Sequence, residues 1–519
     1  MSDAMRTSTV SQILRRSAAR VPERVALHFA GDSAEQRRWT YAQLDAAVDR
    51  AAGMLLELAE PGERVAAFGR NSDAYLIGFL GCARAGLVHV PINDNLTAGE
   101  LGYLLEQSGS SAVLVDPALA DRVQQVRADT GVRAVVALRD EPGSLLRVCS
   151  SGPVAAPDVP VGDEDLVQLL YTSGTTSRPK GAMMTHRALL HEYTSCLVGL
   201  DLTEHDRPLH VMPLYHSAQM HVFLLPYLQI GAVNTLLESP DPAEVLRRVE
   251  QDGHGSFFAA PTLWVALANH PDLARRALDS LRKAFYGASI MPGPVLDRLR
   301  ERLPELGFYN CFGQSEIAPL AAVLRPEEHD ERADSAGRPV LFVEAKVVDE
   351  LGAEVPAGEV GEIVYRSPQL CTGYWNKPEE TAEVFRDGWF HSGDLVRRDE
   401  QGYVYVVDRI KDVINSGGVQ VASREVEDAL YAHPAVTEVA VVAVPDERWV
   451  ERIVAVVVAS GELDEQQLVE HARTRLAGFK VPKQIRFVDD LPRNGAGKLL
   501  KRVLRDECAG DAGLTGPPG

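Results

Sequence analysis

The sequence predicts an α/β protein in two parts. A large N-terminal domain of parallel α/β sheets, with a β-rich subdomain, precedes a small mobile α+β domain at the C-terminus. Three observations predict it. Apolar strand-like runs alternate with helical stretches early in the chain. Glycine and proline turns between alternating strands fill residues 337–408. After about residue 411 a helix–strand–strand–helix unit begins. At 519 residues the chain exceeds one hydrophobic core, so two or more domains are expected.

The elements follow in order. RVAAFG (64–69) and LVHVPI (87–92) read as strands, with an apolar helix around 74–85 between them. Thr97 and Glu100 form a capping box before the next helix. SAVLVD (111–116) and VRAVVAL (132–138) continue the rhythm. Buried strands alternating with helices argue for parallel pairing. Residues 149–164, containing SSGPVAAPDVP, form a loop leading into the apolar run Val167–Tyr171. EAKVVD and GEIVYR are strands of the β-rich section. Helix REVEDALYAH, strands EVAVVAVPD and RIVAVVVAS, and helix DEQQLVEHARTRLA build the C-terminal unit. The expected spans are 1–408, 409–507 and a flexible tail, 508–519, whose composition, CAGDAGLTGPPG, argues for disorder.

Bulk properties exclude some functions. A net charge of −20 argues against a nucleic-acid partner. The six cysteines (82, 149, 196, 311, 371 and 508) form no C-x-x-C pair and read as free thiols in a reducing compartment. MSDAMRTSTV lacks an apolar signal core, and no apolar run is long enough for a membrane span. The expectation is a cytoplasmic protein, monomer or homodimer.

The richest stretch is QLLYTSGTTSRPKGAMM, residues 168–184. Five hydroxyls and one glycine fill Thr172, Ser173, Gly174, Thr175, Thr176 and Ser177. Gly174 permits main-chain N–H groups to converge on one anion, and Lys180 adds a fixed positive charge. Such a loop wraps a polyphosphate. It is not a Walker loop, since Pro179 precedes the lysine and Gly181 follows it. An acidic protein that binds ATP must gather its cations locally, and Arg409, Lys411 and Lys498 join Lys180 as candidates.

Other segments supply the remaining chemistry. FYNCFGQSEIAP (308–319) sets Glu316 after a glycine turn, and one carboxylate beside a triphosphate suits Mg2+. YGASIMP (286–292) offers Gly287, Ala288 and Ser289, small enough for a flat base or acyl chain to approach the backbone. In GWFHSGDL (388–395), Asp394 can accept two hydroxyl hydrogen bonds. LPRNGAGKLLKRVLR (491–505) sets Lys498 on a glycine-loosened loop, from which it can reach a phosphate. Any one of these alone would be an ordinary surface turn or lysine.

Taken in order, from about residue 10 to 505, these segments resemble the adenylate-forming superfamily of acyl-CoA synthetases, luciferases and peptide-synthetase adenylation domains. The likeness is to an acyl-CoA synthetase or fatty-acid–CoA ligase. Ser177 replaces the third glycine of TSGTTGxPKG. The resemblance implies that Thr172, Ser173, Gly174, Thr175, Thr176 and Lys180 hold ATP, and that Gly287, Ala288, Asn310, Cys311 and Phe312 line AMP, with the Phe312 ring on adenine. It implies that Ser315 touches the α-phosphate, that Glu316 and Thr172 hold magnesium, and that Asp394 and Arg409 bind the ribose. Lys411 would be the hinge residue and a phosphate contact, and Gln420 would close over AMP. Gly417 and Gly418 would line the pantetheine tunnel for CoA, and Lys498 would be the catalytic lysine of adenylation.

His216, Met220, Ser289, Gly313 and Ile317 would form the acyl pocket. His216 stands near where amino-acid-activating relatives carry an aspartate, which argues against amino acids. It is either a gate over the carboxylate or a core histidine. Met220, Phe223, Ile290 and Ile317, with no Arg or Lys for a second carboxylate, point to a lipophilic acid, fatty or polycyclic. Val450 replaces the glycine of the family's Trp-Gly-Glu. The implied reaction is ATP-dependent formation of an acyl-adenylate, then a thioester with CoA. The alternative within the class is a stand-alone adenylating enzyme that passes its product to a carrier protein. Intact Lys498 and Glu316 speak against a nucleotide-binding module without catalysis.

Overall fold

A computed structural model of the chain describes residues 7–31, 36–154, 157–172, 178–289, 291–446, 448–493 and 499–511. They divide into two compact units. The first holds the described residues up to 172, Arg178–Glu344 and Arg366–Phe390; the second holds Ala345–Tyr365 and the residues from His391 onward.

Two sheets build the first unit. In one, strands Val25–Ala30, Asn234–Leu237, Pro208–His210, Ser256–Ala259, Lys283–Gly287 and Gly307–Gly313 lie side by side in that order. All these pairings are parallel. Antiparallel strands flank them: Gln36–Thr40 on one edge, Leu320–Leu324 and Arg338–Pro339 on the other. The other sheet runs Ala134–Ala137, Ser110–Val115, Arg64–Phe68, Val88–Ile92, Leu166–Thr172, Lys180–Thr185. It is parallel except for its last pair, a hairpin.

The expected strands appear within a residue or two. The expected helix is Asp73–Arg84, and every residue of it is buried, as an apolar surface all round requires. The Thr97 hydroxyl accepts from the Glu100 amide while the Glu100 carboxylate accepts from the Thr97 amide, the predicted capping box. Buried Asp73 accepts two bonds from the Arg37 guanidinium at 2.7 Å and one from Trp39 Nε1 at 2.8 Å, so its charge is compensated inside the core.

In the second unit, Asp394–Arg398 of strand Trp389–Arg398 pairs antiparallel with strand Val404–Arg409 in a small sheet. A second sheet joins Ile414–Ser416, Val419–Val421, Val436–Asp446, Val450–Ala459 and Gln484–Phe487. Helices Ser423–Tyr431 and Glu465–Arg473 cover an apolar face containing Ile414, Val426, Val441, Ala455 and Leu468. The expected tail begins too early at 508. Helix Lys501–Asp511 runs into its first residues, and Cys508, 1% exposed, packs with Leu504 against Ala440, Val442, Val454 and Val456. Composition misses this because burial at i and i+4 outweighs a glycine-rich surrounding.

A buried polar chain crosses the first unit. Tyr193 Oη lies 2.9 Å from His221 Nδ1, His221 Nε2 lies 2.7 Å from Gln168 Oε1, and Gln168 Nε2 lies 3.0 Å from His89 Nδ1. Each imidazole accepts at Nδ1, so both are neutral. Burial holds both near a pKa of about 3, and His186, His210 and His254 near about 4. These folded values lie below the unfolded one, so the unfolded chain binds the extra protons. Stability is intact above pH 6.5 and falls as pH drops toward 4, by up to ~1.4 kcal/mol per pH unit for each ring. The urea midpoint at pH 5 should fall clearly below that at pH 7. The loss should be smaller in His221→Gln; an equal loss in both proteins would remove this network from the acid response.

Candidate functional site

In the first unit, Thr172, Gly287 and Gly313 each end a strand at the carboxyl end of a parallel pairing, where open α/β sheets leave a crevice. Thr172 ends its strand and pairs across the hairpin with Lys180, the first residue of the next. Ser173, Gly174, Thr175 and Thr176, which join them, lie outside the described residues, as do Ile290 and Lys498. Gly287 ends the strand Lys283–Gly287, followed by exposed Ala288 and Ser289. A Cβ at Gly287 would sit 2.3 Å from the Cys311 carbonyl oxygen, so this glycine serves close strand packing first.

The strand Gly307–Gly313 carries Asn310, Cys311, Phe312 and Gly313, and a short turn Ser315–Ile317 follows. The Asn310 amide donates to the Ser335 carbonyl at 3.0 Å. Burial pushes the Cys311 thiol up, with Glu192 adding to it. Two alanines here adopt left-handed backbone, Ala288 (φ +66°) and Ala318 (φ +79°). Residues with side chains resist that region, and such strain concentrates at functional sites.

Glu316 is 9% exposed. Its Oε1 accepts from the Tyr374 hydroxyl at 3.0 Å, and its carbonyl accepts from the Cys371 amide at 2.8 Å. Lys180 Nζ lies 5.3 Å from the centre of the Tyr374 ring. The segment 369–375, to which sequence reading gave no role, thus meets both the lysine strand and the acidic turn. Backbone bonds stitch it to the strand: Met183 N to Gly373 O at 2.9 Å, Thr372 N to Met183 O at 3.0 Å, Trp375 N to Gly181 O at 2.8 Å. On the other side, Gln369 Nε2 donates to Glu192 Oε2 at 2.6 Å and to Leu320 O at 3.1 Å. Glu192 Oε1 accepts from Leu320 N at 3.0 Å, and burial raises that carboxyl's pKa well above the usual range. The signal available in the sequence was TGYW, two aromatics beside a glycine in a polar loop.

Around the expected acyl pocket, His216 Nδ1 accepts from the Ala218 amide at 3.3 Å, an ordinary local contact. Met220 and Ile317 are fully buried, Met220 within the large core that also holds Leu224 and Tyr193. Phe223 stacks on Phe258 at 4.7 Å. Ser217, which sequence reading passed over, places its hydroxyl 3.2 Å from that of Ser315.

In the second unit, Asp394 and Arg409 face each other across their strands, and Arg409 Nε lies 2.9 Å from Asp394 Oδ1. The two expected ribose residues are therefore partners, with Asp394 4% exposed. Glu362 holds the approach to Asp394, accepting from the Gly393 amide at 2.9 Å and bonding His391 Nδ1 at 2.7 Å. Lys411 is exposed in the turn Ile410–Asp412. Gly417 (φ +66°) and Gly418 (φ +85°) form the two-residue turn between Ile414–Ser416 and Val419–Val421, and a two-residue hairpin loop with both φ positive favours Gly-Gly. Gln420 is exposed on the second strand, opposite Asn415. Val450 pairs with Ser416, is 60% exposed and keeps φ +66°, a conformation costly for a β-branched residue.

Comparison with known proteins agrees with this arrangement. The AMP-binding enzyme family matches residues 14–375, and the AMP-binding enzyme C-terminal domain matches residues 425–498. A feruloyl-CoA synthase from an Amycolatopsis species is 42% identical over 473 residues, covering 90% of this chain and 93% of its own. A long-chain-fatty-acid–CoA ligase of Mycobacterium tuberculosis is 34% identical over 474 residues, covering 91% and 93%. Among solved structures, a Mycobacterium tuberculosis fatty acyl CoA synthetase superposes with a TM-score of 0.79 at 32% identity, covering 98% of this chain and 100% of its own. An anthranilate CoA ligase solved with anthranoyl-AMP gives a TM-score of 0.89 at 26% identity, covering 98% of each. With the motifs in order and the strand ends arranged as described, the chain belongs to the AMP-binding enzyme family.

Proposed function

We propose that this chain is an AMP-forming acid–thiol ligase acting on an aromatic or otherwise lipophilic carboxylic acid, with ATP and CoA as co-substrates. One observation carries the reading: a phosphate-loop lysine, Lys180, and a carboxylate, Glu316, both touch one tyrosine, the lysine at its ring and the carboxylate at its hydroxyl, in an AMP-binding enzyme. The acid class rests on apolar Met220, Phe223 and Ile317 and on relatives named for ferulate and long-chain fatty acids.

A carboxylate is a poor electrophile because its oxygen leaves badly. Its attack on the α-phosphorus of ATP breaks the bond to pyrophosphate and forms an acyl-adenylate. AMP then departs readily when a thiolate attacks the acyl carbon. Lys180 and Lys498 offset the charge that builds on the phosphates, and Ser315 donates to the α-phosphate. Glu316 with the Thr172 hydroxyl is a hard oxygen donor set that fits Mg2+, which would help neutralise the triphosphate. Asp394 and Arg409 hold the ribose, Phe312 faces adenine, and Gln420 closes over AMP. Rotation at Lys411, the hinge residue the resemblance implies, would exchange Lys498 for the Gly417–Gly418 turn. A pyrophosphate-release screen across hydroxycinnamic, aryl and fatty acids, with and without CoA, tests the reading as a whole. No acyl-CoA from any acid would overturn it in favour of an adenylating enzyme that serves a carrier protein.

Lys498→Ala should lower acyl-adenylate formation by orders of magnitude while leaving thioester formation from synthetic acyl-adenylate near wild type. Equal losses in both half-reactions of a folded variant would contradict that role. Asp394→Asn keeps the shape of the side chain but weakens bonds to a charged acceptor, each worth about 1.5–3 kcal/mol. The KM for ATP should rise roughly ten- to hundredfold; an unchanged value would exclude Asp394 from the ribose site. Val450→Gly relieves a left-handed valine, so the melting temperature should hold or rise. With an open thiol path the thioester rate stays the same, whereas a large gain in acyl-CoA would mean that Val450 obstructs the thiol.

A further inference from the structure

Tyr374 touches two opposite charges, one at its ring and one at its hydroxyl. Lys180 and Glu316 project from neighbouring parts of the first unit, and Glu316 is 9% exposed, a setting in which an ion pair is little weakened by water. Yet they form no ion pair within 4.0 Å. Lys180 Nζ instead rests 5.3 Å from the centre of the Tyr374 ring, a cation–π distance, and the hydroxyl of the same ring donates to Glu316 Oε1 at 3.0 Å. The ring cannot swing away. Tyr374 is 7% exposed, its amide donates to the Thr381 hydroxyl at 2.9 Å, and its neighbours are bonded to Met183 and Gly181 on the lysine strand. A phenol hydroxyl that meets a carboxylate oxygen is the donor of the bond.

We infer that Tyr374 is a positioning residue that holds Lys180 and Glu316 apart and ready. Its ring spaces the ammonium from the carboxylate, and its hydroxyl fixes one carboxylate oxygen so that the other is presented to the divalent cation of the nucleotide. The inference rests on the roles proposed above for Lys180 and Glu316. An unspaced pair would neutralise itself, and each nucleotide–cation complex would first have to break it. A hydrogen bond from an outer partner to a ligating carboxylate commonly changes metal affinity ten- to a hundredfold.

Two variants separate the two jobs. Tyr374→Phe keeps the spacer and loses the donor; Tyr374→Ala loses both. Mn2+ retention by the full-length enzyme with ATP is read by the loss of the free-ion paramagnetic resonance signal. ATP binding is read by calorimetry and pyrophosphate release as a function of Mg2+, each with a melting curve. Tyr374→Phe should weaken Mn2+ retention roughly tenfold. It should raise the half-saturating Mg2+ concentration by a similar factor and recover its kcat at high Mg2+. Tyr374→Ala should also weaken ATP binding, even at saturating Mg2+. In a Glu316→Gln background, Tyr374→Phe should cause no further loss of Mn2+ retention. If Glu316→Gln retains Mn2+ as well as the native protein, the assignment of Glu316 fails, and this inference with it. If Glu316→Gln weakens retention but Tyr374→Phe only lowers the melting temperature, the assignment stands and the tyrosine is merely structural.

Discussion

Keeping a lysine and a carboxylate adjacent without letting them cancel is the constraint on which the site depends. The protein carries a net charge of −20 and must still receive a polyanion. Each cation it offers must therefore be protected from its own acidic groups. At Lys180 the protection is an aromatic ring. At Arg409 it is absent: that guanidinium pairs directly with Asp394. The contrast follows from the work expected at each place. A ribose brings hydroxyls, neutral donors that can share a carboxylate already bonded to arginine. A triphosphate brings charge, and a lysine tied to a carboxylate would meet it half neutralised.

The segment 369–375 makes that arrangement possible. It is not a sheet strand, yet it bonds to strand Lys180–Thr185 through Met183 and Gly181 and to the acidic turn through Glu316. Glu192 anchors its far end by accepting from Gln369 and from Leu320. This buried carboxyl accepts from the Gln369 amide, the Cys196 thiol and the Leu320 N–H, no cation among them, and burial raises its pKa. The anchor is thus a polar joint without a strong field of its own, suited to a position behind a site that must manage charge.

What could be read from the sequence was what depends on neighbours along the chain. The Thr97–Glu100 cap and the alternation of strands and helices are local patterns, and each appears where it was expected. Glu316 and Lys180 could be named because their own loops carry turn chemistry. Tyr374 could not, because its meaning arises from strands far away in sequence: 58 residues separate it from Glu316. Ser217 escaped for the same reason, meeting Ser315 across 98 residues. Cys508 was misread in the other direction. Its surroundings look like a tail, but its spacing from Leu504 puts it on a buried face.

The glycines show how packing and function overlap at strand ends. Gly287 is small because the Cys311 carbonyl already occupies the space of a side chain. The chain leaves strand Lys283–Gly287 in an unusual conformation at Ala288 and approaches the antiparallel strand Leu320–Leu324 through another at Ala318. Ser315 and Glu316 stand in the short turn between strands Gly307–Gly313 and Leu320–Leu324. On this view the crevice is a consequence of strand packing. The groups proposed as catalytic, a hydroxyl, a carboxylate and a lysine, stand where the backbone turns away from a sheet that can hold them rigidly.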